Sequence, residues 1–535
     1  MKKILFTCMV CLFALFGKAQ PMIDLEAFMA FVDSVTNAEE NNDKALLQQL
    51  RARHEDYVWK NLKKQADKGD AKAAAYATCV MNNLLESKTF GYKFGDGLSF
   101  KDGHTMEKYF ATAINNAEKQ NLNSAQVLLY RASFRYNNMH NNYDLFDVSE
   151  NELRAMIGRD VRDAAFGGYK PAQYMFARFM AVKEPWRFHE YLYNKSAVHD
   201  NFEYVDYKGD YMPREEGYFK RALEYYTKAA TNGKPEFQVE LAQYLLQNVV
   251  QIKNCRNIQS VYADRHQYVY HDSSRDWDPS DVEVYKHQAA YWYKQAALQG
   301  DTIGMVNYAY CLMSEIEDWD MYADEKGRVN SEALGDTVVA WLEKAAEKGC
   351  VMAMYNLCAL SLPGGKGCLT HTKRDKNRLF KYAQMGAERG SRECAQALGY
   401  CYHFGYGTSV NMTEAYRWYK VAADAGMYWS AWQTGNYYED KNLGNDMELA
   451  IAYWEEATYI KEAYGKLAKC YGKGIGVVMD RAKARRYQEW YDGSDQIERL
   501  DYPVTMYHVK LTEGMRYLSR FIYRMPMPYT AAKWR

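Results

Sequence analysis

Cysteine thiols are the side chains of this sequence with the clearest capacity for chemistry. The chain has 11 cysteines, and Cys8 and Cys11 lie in an N-terminal apolar run. The remaining nine contain no Cys-x-x-Cys pair, so a zinc site or a dithiol redox motif has little support. Cys394 and Cys401 are seven residues apart, about 10.5 Å along a helix. That distance exceeds the Cα separation of a disulfide.

Three cysteines recur at one inward position of similar segments. These are Cys311, Cys401 and Cys470. We interpret them as buried core thiols. A disulfide that involves Cys368 is the alternative, and an odd number of cysteines leaves at least one thiol unpaired.

Histidine and aspartate side chains offer two candidate cation sites. The segment 255–287 and its edge contain several aspartates and three histidines, which are His266, His271 and His287. Their spacing matches no defined metal loop, so we interpret this segment as a solvated polar loop. Asp318, Asp320 and Asp324 resemble the start of a calcium loop, but Ala323 stands where that loop needs glycine. The sequence therefore predicts no metal site.

Catalytic signatures are also missing from the sequence. No nucleophile elbow occurs. The glycine-rich stretch 472–477 lacks the Gly-Lys-Ser/Thr ending of a phosphate loop and follows no predicted strand. We predict a protein that is not an enzyme and uses no cofactor. A hydrolase of unidentified substrate is an alternative, which would require a triad assembled from distant residues.

Two amphipathic helices form the unit that positions these side chains, most clearly between Gly390 and Gly426. The apolar positions of the first helix are Cys394, Leu398, Cys401 and Tyr402. Those of the second are Ala415, Trp418, Tyr419, Ala422 and Ala423. Both sets follow helical spacing. Gly405 and Gly407 should end the first helix, and Asn411 should cap the second.

The second helix recurs along the chain as a large apolar pair, an alanine pair and a closing residue. The closing residues are Gly69, Asn121, Gly168, Gly233, Gly300, Gly349, Gly390 and Gly426. Their spacing is irregular before Gly300 and becomes more regular after it. Insertions in a repeat array emerge as loops, so we expect long loops in the first part of the chain.

This combination resembles the Sel-one-like repeat family, a relative of the tetratricopeptide repeats, most specifically over residues 287–492. The residues that carry the resemblance are Leu398, Gly399, Tyr402, Gly405, Gly407, Ala415, Trp418, Tyr419, Ala422, Ala423 and Gly426. Cys394 and Thr408 depart from the family's usual alanine and valine. The resemblance implies an all-α solenoid of stacked helix-turn-helix repeats in a right-handed superhelix. It also implies an adaptor role toward protein partners.

The organisation expected from these patterns has five parts. They are a signal peptide (1–19), an N-terminal helical segment (20–57), divergent repeats with long insertions (58–286), regular repeats (287–492) and a C-terminal cap or tail (493–535). A modified last unit would shield the final apolar face of a solenoid.

The N-terminus and the charge balance bear on location and partners. Two lysines, an apolar run over 4–16 and a small-residue exit before Gln20 predict a cleaved signal peptide and an exported, periplasmic or secreted product. Without Lys2, Lys3 and Lys18, 65 basic residues face 68 acidic ones. This balance argues against nucleic acid as a partner. No later apolar run is long enough to span a membrane.

A partner surface is expected on the polar side of the first helices. In the clearest repeat this side carries Arg392, Gln396, Tyr400 and His403, and one repeat later it carries Trp432 and Asn436. We predict that these six residues face a protein or peptide partner. The aromatic insertion within 183–218 suggests an alternative, because aromatic faces also stack on sugars: a glycan-binding protein. Packing of this insertion against the solenoid is the other interpretation.

Overall fold

The computed structural model describes residues 20–83, 85–94, 100–138, 146, 148–181, 204–205, 211–212, 214–257, 279–320, 325–362, 375–457 and 460–493. The predicted signal peptide, Cys368, Asp324, most of both insertions and residues 494–535 lie outside this set. The predicted domain boundaries stay predictions. The chain forms two compact units. The first contains the chain up to Tyr244, and the second contains the described residues from Asp278 onward. The helix that spans residues 235–257 contributes residues to both units.

The first unit is helical, with two small hairpins. Its helices are α1 (Leu25–Glu40), α2 (Lys44–Arg53), α3 (Trp59–Asp67), α4 (Ala71–Asn82), α5 (Phe100–Ala117), α6 (Ala125–Asn138), α7 (Glu150–Phe166), α8 (Lys170–Ala181), α9 (Arg214–Ala230) and the start of α10 (Pro235–Asn257). Short 3-10 turns are Glu55–Tyr57 and Glu118–Gln120. Strands β1 (Glu86–Ser87) and β2 (Tyr92–Lys93) pair antiparallel, as do β3 (Tyr204–Val205) and β4 (Tyr211–Met212).

The second unit contains the more regular repeats. Its helices are α11 (Pro279–Leu298), α12 (Thr302–Asp320), α13 (Glu325–Glu347), α14 (Val351–Ser361), α15 (Lys376–Ala387), α16 (Arg392–Phe404), α17 (Met412–Asp424), α18 (Tyr428–Glu439), α19 (Met447–Glu456), α20 (Lys461–Lys473) and α21 (Arg481–Gly493). Even-numbered helices are the first helices of repeats, and odd-numbered helices are the second. The predicted all-α repeat fold is confirmed. No helix in the described part of the chain is long and apolar enough to cross a membrane.

Most closing residues take the left-handed backbone conformation, which lets the chain leave one helix and enter the next. Left-handed φ values favour glycine and asparagine. These closing residues are Gly69, Asn121, Gly168, Gly300, Gly349, Gly390 and Gly426. The exception is the predicted closing residue Gly233, because Asn232 takes the positive φ of 53° in its place.

Local capping fixes the bounds of α16 and α17. The Ser391 hydroxyl accepts a hydrogen bond from the Cys394 amide, and the Asn411 side chain accepts one from the Glu414 amide. Gly405 ends α16 with a φ of 63°. The predicted cap at Asn411 and the predicted helix end at Gly405 are both confirmed.

Glycine also sets the separation of the two helices within a repeat. A Cβ atom added to Gly399 would lie 2.5 Å from Cδ1 of Tyr419, and one added to Gly435 would lie 2.4 Å from Cδ1 of Trp454. Real Cβ atoms do not approach other atoms so closely. Tyr419 and Trp454 are fully buried, so the core lies between the two helix layers and uses these large rings against bare backbone.

A second glycine contact joins each turn to the preceding repeat. A Cβ atom on Gly407 would lie 2.2 Å from the Lys376 carbonyl oxygen in α15. A Cβ atom on Gly476 would lie 2.3 Å from Cγ of Met447 in α19. Both glycines have positive φ, 79° and 71°. The turn of one repeat therefore lies directly on the second helix of the repeat before it.

Ion pairs join three helices inside the first unit. Arg135 on α6 is 4% exposed and pairs with Glu107 on α5 (Nη2–Oε2 2.7 Å) and Asp160 on α7 (Nη1–Oδ2 2.9 Å). Arg131 also contacts Asp160, at 2.6 Å. The charges compensate one another, which is what buried ionic groups require.

Candidate functional site

The six residues of the predicted partner surface lie on α16 and α18. Arg392 begins α16, and its side chain is 52% exposed. Its guanidinium donates hydrogen bonds to the Ala425 carbonyl (3.0 Å) and to the Glu393 carboxylate (2.9 Å). Tyr400 and His403 lie further along the helix and are half-buried. These three residues remain in contact with solvent.

Gln396 does not face solvent, and its predicted exposure is wrong. The residue is 2% exposed, and its Oε1 accepts a hydrogen bond from the Ser430 hydroxyl of α18 at 2.9 Å. The physical reason is that first helices of neighbouring repeats pack side by side. A side chain on the polar side of one helix can therefore point at the next helix.

Trp432 is also buried, contrary to the prediction. It is 5% exposed, and its ring centroid lies 6.3 Å from that of Trp454. The Lys466 ammonium of α20 lies 5.0 Å from the Trp432 ring and 4.6 Å from the Trp454 ring. Trp432 therefore belongs to the contact between repeats, where a cation covers its face.

Asn436 is half-buried and organises the same contact. Its Oδ1 accepts hydrogen bonds from the Lys466 ammonium (2.8 Å) and from the Trp454 indole N–H (3.3 Å). Lys466 also donates to Glu439. A long lysine side chain is thus held by an amide and a carboxylate, with part of its surface still open to solvent.

Aromatic rings extend the surface along the C-terminal end of α16. The His403 ring stacks on Phe404 at a centroid distance of 4.3 Å, and its Nδ1 lies 3.5 Å from the Tyr419 hydroxyl. Burial lowers the pKa of His403 and so favours its neutral imidazole. Phe404 is 54% exposed. Together with Tyr400, 4.6 Å from Phe404, this end offers aromatic contacts of the kind that protein partners use.

A carboxylate that the sequence did not single out joins the last two described repeats. Oε1 of Glu455 on α19 accepts hydrogen bonds from the hydroxyls of Tyr471 (2.8 Å) and Tyr487 (3.1 Å) and from the Lys483 ammonium. Burial alone would raise the pKa of Glu455, but these hydrogen bonds outweigh it and lower the pKa. The donors lie 16 to 32 residues from Glu455 in the sequence. No local sequence pattern therefore indicated the cluster.

The thiols lie inside the helix stack. Cys394, Cys401 and Cys470 are buried, and burial raises the pKa of Cys401 to about 12. A thiol with such a pKa is a poor nucleophile at neutral pH. The predicted core position is confirmed for Cys401 and Cys470, whereas Cys311 is only half-buried.

Comparison with protein families identifies the repeats. The Sel1 repeat model matches residues 207–234, 282–301, 339–350, 351–391, 392–427 and 461–487. The chain therefore contains Sel1 repeats, and the resemblance predicted from the sequence is confirmed. Sel1 repeats generally serve as scaffolds or adaptors in protein interactions, and the fold is typically not catalytic.

Solved structures and curated proteins include similar chains. A Sel1 repeat protein from Oxalobacter formigenes has 18% sequence identity and a TM-score of 0.45, covering 71% of this chain and 86% of its own. The protective antigen c5321 of uropathogenic Escherichia coli, described as having an SLR fold, has 18% identity and a TM-score of 0.31, covering 86% of this chain and 94% of its own. The chitin synthase regulator SKT5 of Saccharomyces cerevisiae is 36% identical over 85 residues, which are 16% of this chain and 12% of that protein.

Glu455→Gln tests the cluster on α19. The folded-state pKa of Glu455 lies below its ordinary value of 4.5. Its charge therefore stabilises the fold above that pH and ceases to do so as the pH falls through the folded-state pKa. We expect E455Q to lower the free energy of unfolding by about 1–2 kcal/mol at neutral pH. The difference from the wild type should shrink in acid.

Urea unfolding at about pH 7 and about pH 3.5 measures both effects. The matched control is Glu456→Gln, which changes the exposed neighbour of Glu455. It should stay within about 0.5 kcal/mol of the wild type. Equal losses in the two variants would show that the Glu455 cluster contributes no specific stability.

Proposed function

We propose that this chain is an exported scaffold that binds a protein partner through the exposed side chains of α16, α18 and α20. The Sel1 repeats support a role in protein interaction. Exposed Arg392 and Phe404 and half-buried Tyr400, all on α16, support this location on the chain.

The observation that carries the proposal is the lateral bonding of the three first helices. Gln396 on α16 accepts a hydrogen bond from Ser430 on α18, and Lys466 on α20 donates to Asn436 on α18. These bonds fix neighbouring helices and their side chains before any partner arrives. A preorganised surface loses less conformational entropy on binding, which favours recognition of a protein along several repeats.

Substitution of two α16 residues that contact solvent tests the location. The tagged chain without residues 1–19 is used to capture partners from extracts of its source. In the double variant Arg392→Ser/Tyr400→Ser we expect recovery of the specific partner to fall about tenfold or more, as when an aromatic or arginine anchor is removed. Quantitative mass spectrometry of the captured proteins provides the measurement.

The matched control is Val421→Ser/Leu449→Ser, which changes exposed side chains of the second helices α17 and α19. It should retain the partner. Circular dichroism checks that both variants remain folded. If the same proteins are captured in the same amounts by the wild type and both variants, the partner does not bind at α16.

Export is the second part of the proposal, and it rests on the sequence of the first twenty residues. Expression of the whole chain in a host of the same kind should yield, outside the cytoplasm, a product that begins at Gln20. Intact-mass measurement identifies that product. A cytoplasmic product that still carries residues 1–19 would refute export.

A further inference from the structure

Helix α3 presents a row of lysines on its outer face. Lys60 and Lys64 of α3 and Lys68, the residue that caps its C-terminal end, follow one another at intervals of four residues. Lys63 lies beside them, and all four lysines are exposed. A shallow groove of about 550 Å³ covers this face. Its lining consists of Trp59, Lys60, Lys63, Lys64, Asp67 and Lys68.

The opposite side of α3 is anchored, so the lysine row is held in place. Leu62 and Ala66 are buried, at 1% and 2% exposure. At the N-terminal end, the Trp59 amide donates to the Phe90 carbonyl at 2.8 Å, and the Trp59 ring packs edge-on against Phe94 at 4.8 Å. A rigid helix therefore fixes the spacing of the Cα atoms from which the lysine side chains extend.

The four ammonium groups are not neutralised within the described part of the chain, where none of them forms an ion pair. The single carboxylate of the groove, on Asp67, accepts a hydrogen bond from the Tyr109 hydroxyl at 3.0 Å. Like charges at intervals of four residues destabilise a helix slightly. The chain as a whole has equal numbers of acidic and basic residues, so this row is a local concentration of charge that an anionic partner would relieve.

The spacing of the row points to the shape of that partner. Lysines four residues apart lie about 6.0 Å apart along the helix axis. Alternate side chains of an extended peptide point the same way and lie about 6.6–6.8 Å apart. Carboxylates at every second position of an extended segment would therefore meet Lys60, Lys64 and Lys68 in turn. Trp59 lies at the end of the row and offers a ring for a neighbouring apolar residue.

We propose that the α3 face binds an extended acidic segment of a protein partner, with Asp or Glu at alternate positions. This site lies in the first unit and is separate from the α16 surface in sequence and in chemistry. It depends on charge complementarity, which makes association sensitive to salt. The α16 surface depends instead on aromatic and hydrogen-bonding groups.

Fluorescence anisotropy with the chain beginning at Gln20 tests this proposal. The probe is a labelled peptide in which four glutamates alternate with serines, and the comparison peptide has the same residues with the glutamates in one block. We expect the alternating peptide to bind several-fold more tightly, and its binding to weaken about tenfold or more in Lys60→Gln/Lys64→Gln/Lys68→Gln. Raising the salt from about 50 to about 200 mM should also weaken binding.

The matched control, Lys44→Gln/Lys234→Gln/Lys441→Gln, removes the same charge from exposed positions elsewhere and should bind the alternating peptide like the wild type. An equal loss of peptide affinity in the control variant would show that binding depends only on the net charge of the chain, and it would overturn the proposal. So would the absence of peptide binding at low salt, equal binding of the two peptides, or tighter binding of polygalacturonate, which would assign the row to an anionic glycan.

Discussion

Close contact between the turn of one repeat and the second helix of the preceding repeat is the constraint on which the rest of the second unit depends. The turn after α16 lies so close to α15 that no side chain fits at Gly407. The turn after α20 lies against the side chains of Met447 and Ile451 on α19 at Gly476. Because the positive φ of both residues also favours glycine, one residue type satisfies the turn and the packing together. The position of each repeat is thus set by its predecessor.

Close packing of the repeats leaves little of each first helix in contact with solvent. Gln396 and Trp432 are buried against the first helix of the next repeat, while Arg392 and Phe404 remain exposed. A partner would therefore meet a narrow line of side chains from each repeat and would need several repeats for a stable interface. In such an array each repeat contacts mainly its neighbours, so the order of the exposed residues along the chain is also their order on the surface.

Sequence patterns predicted the features that depend on local chemistry. Asn411 caps a helix and Gly405 ends one because of bonds made within a few residues, and both were correctly expected. The exposure of Gln396 was not, because amphipathic spacing describes one helix in water and not a helix with neighbours on several sides. The Glu455 cluster was missed for the same reason, because its hydrogen-bond donors come from the next repeat. The closing position predicted at Gly233 lies instead at Asn232, because asparagine also tolerates a left-handed φ.

The most direct measurement of the packing constraint compares Gly407→Ala with Gly390→Ala by urea unfolding. Both glycines have positive φ, 79° and 84°, but no other atom lies within 4 Å of a Cβ at Gly390. Backbone strain should cost each variant about 1–2 kcal/mol. Overpacking against Lys376 should lower the free energy of unfolding of Gly407→Ala by about 1–3 kcal/mol more. Equal losses in the two variants would contradict the claim that turn-to-helix contact positions the repeats.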